Sequence, residues 1–76
     1  MELCYWIYKV LLCDTLEEMR SVMADFNRRT WTLEDRAMMS ATYTPKLLKI
    51  IGKGSAEEEK IFLLEEFADL CWRKAA

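Results

Sequence analysis

Histidine is absent from the 76-residue chain, and two glycines, one proline and three cysteines are all it carries of the residues that punctuate or cross-link a backbone. Without an imidazole there is no Ser-His or Cys-His pair to activate a nucleophile, and no side chain that titrates near neutrality. An odd cysteine count excludes a closed set of intrachain bridges. Zinc would lack both imidazole and short cysteine spacing, since the register puts Cys4 and Cys13 on opposite faces of either a helix or a strand. With no secretory signal ahead of them, Cys4, Cys13 and Cys71 read as small apolar core residues in a reducing, cytoplasmic compartment.

Long hydrophobic runs are missing too. Leu3 to Cys13 is apolar apart from Lys9, but it is too short to span a bilayer and lacks the basic region of a signal peptide. Bulky Leu12 before Cys13 argues against a lipoprotein cleavage site. No cofactor motif appears: Gly52, Lys53, Gly54 and Ser55 lack the spacing of a phosphate loop and read as a helix stop followed by a helix cap. Glu57, Glu58, Glu59, Glu65, Glu66 and Asp69 read as a solvated helix face rather than an acid-base pair. The expectation is a chain without enzymatic activity, metal or cofactor.

What is present is apolar mass. Apolar side chains make up 53% of the chain, including three Trp, three Tyr, three Phe and five Met. Residues 1–76 have room for one domain, and a domain of this size buries only roughly 60% of its unfolded surface. Some of the aromatic surface is therefore expected to meet a partner or a second copy.

Start and stop signals divide the chain into helices. Asp14, Thr15 and Glu18 open one over 15–28, with Leu16, Met19, Val22, Met23 and Phe26 as its apolar stripe. Thr32 and Asp35 open a second over 33–42, with Leu33, Ala37, Met38 and Ala41 on one face. Pro45 suits the first turn of a third, over 45–51, which Gly52 stops. Ser55 and Glu58 open the last, running through Lys74, with Arg73 and Lys74 at the negative end of its dipole. Residues 3–12 combine β-favouring Tyr5, Trp6, Ile7, Tyr8 and Val10 with a helical stripe; no second strand offers itself, so a helix is expected and a strand is the alternative. The fold class is an all-α compact bundle of four to five short helices.

Charge is unevenly spread about the net −2, the 28–53 segment being a basic island between two acidic ones. Lys46, Lys49 and Lys53 line one side of the 45–51 helix, and Arg28 and Arg29 close the 15–28 helix. Two short helices and a tight turn, the second with a basic face, would suit a helix-turn-helix contact to nucleic acid, although that second helix has no exposed Arg, Asn or Gln for base readout. The stripe otherwise reads as a solvated face or a contact for an acidic protein partner. Tyr5, Trp6 and Tyr8 point instead to protein binding, as do Phe62 and Trp72 in a last helix whose apolar residues cover a wide arc.

These observations favour a non-enzymatic protein-protein interaction module, working as a homodimer or in a hetero-complex. A chain that opens on Met and closes after Lys74 suggests a stand-alone regulator or inhibitor that occupies a surface of a larger protein; small virus- or plasmid-encoded proteins fit by analogy of size. The alternatives are a helix-turn-helix-like nucleic-acid regulator using the Lys/Arg stripe and a homo-oligomeric structural assembly protein.

Overall fold

The computed structural model describes residues 2–52 and 56–73, and among them the chain is four α-helices with no strand. Helix α1 spans Glu2–Leu11, α2 Leu16–Asn27, α3 Leu33–Ile51 and α4 Glu57–Trp72. The all-α bundle expected from the capping signals is what forms, at the lower of the two helix counts, within 36 × 24 × 19 Å.

The aromatic first segment is helical because of what it buries. As a strand it would set Trp6, Tyr8 and Val10 on one face. As a helix it turns Trp6, Val10 and the following Cys13 inward and Tyr8 out. Cys13 seals the helix end, its thiol donating to the Lys9 carbonyl at 3.2 Å.

Helix α2 follows its pattern. The Thr15 hydroxyl accepts from the Glu18 N–H at 3.1 Å, and the Glu18 carboxylate reaches back to the Asp14 N–H at 3.2 Å, so two of the free donors at the helix start are satisfied. Met19, Met23 and Phe26 are buried, and Leu16 and Val22 are half-buried against them.

Helix α3 departs from expectation twice. It opens on the Thr32–Asp35 capping box, with both reciprocal bonds made, but runs unbroken to Ile51 with Pro45 inside. The expected restart at Thr44–Pro45 is absent. Pro45 removes one hydrogen bond, the one that the Ala41 carbonyl would accept, and both residues lie on the exposed side of the helix. The buried residues are Arg36, Met39, Tyr43 and Leu47, and their helical stripe carries the chain through the proline. The expected core face of Leu33, Ala37, Met38 and Ala41 is the exposed one. Gly52 ends the helix as expected, its positive φ of 80° being open to glycine and strained for other residues.

Helix α4 has Ala56 at its N-cap without a side-chain bond; the expected cap on Ser55 lies outside the described residues. The helix ends at Trp72, and the expected extension to Lys74 also lies outside them.

Contacts between helix ends give the directions. Arg29 pairs with Glu2, so α2 returns antiparallel to α1. A groove shared by Leu3, Cys4, Asp35 and Met38 sets α3 parallel to α1. Arg36 meets Cys71 and Tyr43 meets Phe67, so α4 runs antiparallel to α3. Helices α2 and α3 touch each other and both flanking helices, whereas α1 and α4 lie apart. The core between them is built from Trp6, Val10, Phe26, Tyr43, Leu47 and Phe67, the buried thiols Cys13 and Cys71, and three methionines, Met19, Met23 and Met39.

Candidate protein-binding surface

Among the described residues helix α1 touches only α2 and α3, and nothing there covers its outer side. At 100° per residue, Leu11, Cys4, Tyr8, Leu12 and Tyr5 fall within one arc of about 120° that contains no charged position. All five are exposed, Tyr5 by 57% and Tyr8 by 62%. The ridge stands between two grooves. One, of about 320 Å³, is shared with α2 and includes Leu12, Glu18 and Val22; the other, of about 590 Å³, is shared with α3 and includes Cys4, Trp31 and Met38.

An aromatic chain beneath the ridge fixes its shape. Tyr5 meets Trp6 edge to face, with centroids 5.5 Å apart. Trp6 meets Phe26 at 6.4 Å, and Phe26 stacks on Trp31 at 4.5 Å. The Trp31 indole N–H donates to the Phe26 carbonyl at 2.6 Å, so the series ends on backbone. The Lys9 ammonium lies 5.3 Å from the Tyr5 ring centre and 5.5 Å from that of Trp6, and the Arg29 guanidinium, paired with Glu2 at 2.6 Å, lies 5.5 Å from the Trp6 ring. These contacts limit the rotamers that a partner would otherwise have to order.

The structure separates the residues that the sequence grouped. Trp6 is not a surface residue; it is 6% exposed and belongs to the core. Tyr5 is the last residue of the ridge arc, and Trp6 lies about 100° beyond it on the side away from the ridge, which turns it toward the core. Leu11 and Leu12 belong to the ridge and were missed; the signal was present, since Tyr5, Tyr8 and Leu12 recur at i, i+3 and i+7. Cys4 lies on the same surface rather than in the core. Phe62, 72% exposed, stands on α4 among Glu58, Glu65, Glu66 and Asp69, and Trp72 is exposed near the end of that helix. Because α1 and α4 lie apart, Phe62 and Trp72 do not extend the α1 ridge.

The basic residues are divided as well. Arg28 pairs with Asp25 at 2.8 Å and Arg29 with Glu2 at 2.6 Å, at the end of the bundle where α1 starts. Lys46 lies near Cys13, past the other end of α1, about 15 Å along that helix. Lys49 is on the same half of α3, and Lys53 lies outside the described residues. With α3 continuous, the expected pair of short helices and tight turn is not formed, and Arg28, Arg29, Lys46 and Lys49 make no single basic face.

Burial decides the chemistry of the thiols. It pushes Cys71 up to about 11, with Arg36 opposing, and it also raises Cys13, assisted by the Glu18 carboxylate. Both are held as thiols. Among the described residues no three Cys, Asp or Glu side chains gather as metal ligands, and no helix is long and apolar enough to cross a membrane. What the surface offers is contact area, rigid and apolar on α1 and acidic with a central aromatic on α4. No family model, curated protein or solved structure matches the chain.

Proposed function

We propose that the chain is a non-enzymatic protein-binding module that presents the α1 ridge to a larger protein, acting as a regulator or inhibitor by occupying that protein's surface. The observation that carries this reading is the uncharged arc of Tyr5, Tyr8, Leu11 and Leu12, exposed and backed by a packed aromatic series. The two tyrosines in such a row supply large contact area with a polar tip, and the leucines beside them add apolar surface.

The test is affinity capture from the native cell lysate by tagged wild-type protein and by a Tyr5→Ala/Tyr8→Ala variant, with and without nuclease and at high salt. The expected result is one stoichiometric protein, resistant to nuclease and salt, that the variant fails to retain. Capture abolished by nuclease or moderate salt and indifferent to the variant would overturn the reading and return attention to Lys46 and Lys49.

A further inference from the structure

The outward face of α3 is as uncovered as that of α1, and it carries a charge order of its own. Met38 is 56% exposed, and Ala41 and Pro45 lie exposed beside it on the same side of the helix. Glu34 stands at the N-terminal end of this face and Lys49 at the C-terminal end, about 22 Å apart along the axis. Both are exposed, and neither has an ion-pair partner among the described residues.

We propose that this face is the seam of a twofold dimer and that its occupant is a second copy of this chain. A strip that is acidic at one end, apolar in the middle and basic at the other is complementary to itself when turned end for end. A twofold axis between Ala41 and Thr42 sets Glu34 against Lys49 of the second copy and Met38 against Pro45 of the second copy, and symmetry makes each contact twice. An unrelated partner would need the same order of charges reversed at the same spacing, whereas the second copy has it by construction. The antiparallel arrangement also opposes the two α3 dipoles favourably. The seam lies on a different helix from the α1 ridge, and the proposal does not depend on the function assigned to that ridge.

The test is sedimentation equilibrium of the full chain over a wide concentration range at low salt. Wild type is expected to reach twice the chain mass of 9.0 kDa and stop there. Glu34→Lys and Lys49→Glu each set like charges across the axis and weaken the dimer about ten-fold, while the double exchange restores it. Ala41→Arg, at an exposed position, sets a charge against its own copy and leaves a monomer whose circular dichroism is unchanged. A chain that stays at 9.0 kDa throughout, a mass that climbs past two chains, or a dimer indifferent to Glu34→Lys and Ala41→Arg would each overturn the proposal. A dimer that Tyr5→Ala/Tyr8→Ala dissociates and the α3 variants do not would overturn it too, by moving the seam to α1.

Discussion

The guanidinium of Arg36 donates to the carbonyl of Cys71 at 2.5 Å, and the thiol of Cys71 donates back to the carbonyl of Arg36 at 3.2 Å. The pair is buried, and it ties the first turns of α3 to the last turn of α4. Cys71 is among the last four residues of α4, whose carbonyls have no partner within the helix, so a cation from another helix serves the negative end of the α4 dipole. That role was expected of Arg73 and Lys74. Arg73 is exposed and lies 4.0 Å from Asp69, while Lys74 lies outside the described residues.

Arg36→Met keeps most of the aliphatic volume and removes the donor. It is expected to cost about 1.5 kcal/mol, the worth of a charge-assisted hydrogen bond less the relief of an inward-facing charge, measured as a lower urea midpoint at unchanged slope.

Burial raises Cys71 from an ordinary value of 9.0 to about 11, and it raises Cys13 and Tyr43 in the same direction. For each group the folded state holds the proton that the unfolded chain gives up first. The stability that these groups contribute is therefore fully present below pH 9 and is lost as pH rises from about 9 to about 11. Urea midpoints across that range check the sign. Under native conditions at lower pH a thiol reagent should label Cys4 promptly, and Cys13 and Cys71 only as the chain unfolds.

Pro45→Ala returns an N–H to the Ala41 carbonyl at an exposed position. Proline disfavours a helix interior by about 3 kcal/mol relative to alanine, and its restriction of the unfolded chain gives back up to about 1 kcal/mol. A net gain of about 2 kcal/mol is expected in urea unfolding, performed at low protein concentration so that association does not contribute.

Thr32→Ala removes the hydroxyl that accepts from the Asp35 N–H at 3.1 Å and leaves the start of α3 uncapped. The expected loss is about 1 kcal/mol, read from the same unfolding curves. Thr32→Asn should recover most of it, because its side-chain oxygen can accept the same bond.

Helix α2 was legible in the sequence because its cap, stripe and solvent face agree, and Met19, Met23 and Phe26 pack where the periodicity puts them. Helix α3 was not. A break assumed at Pro45 shortened the window to 33–42, in which Leu33, Ala37, Met38 and Ala41 make the more apolar side. The true stripe begins on a charge, Arg36, and becomes visible only when Tyr43 and Leu47 are counted with Met39. No rule of composition marks an arginine as the first core residue of a helix; the distant Cys71 carbonyl makes it so. Within α1, type alone could not separate Trp6 from its tyrosine neighbours, although helical phase does. How far apart Arg28 and Lys49 lie depends on α3 being one rod, which no local signal announced.

Three of the fully buried side chains, Met19, Met23 and Met39, end in unbranched thioethers. Such sulfurs oxidise where reagent reaches them, and the sulfoxide is too polar to pack back into the same space. Peroxide therefore gains access only through transient opening of the bundle, and each oxidation makes the next opening easier. Under oxidative stress, and without a reductase to restore the thioethers, the chain would be lost by an accelerating course, and the initial rate of sulfoxide formation at these three positions would serve as a clock for how often the interior is exposed.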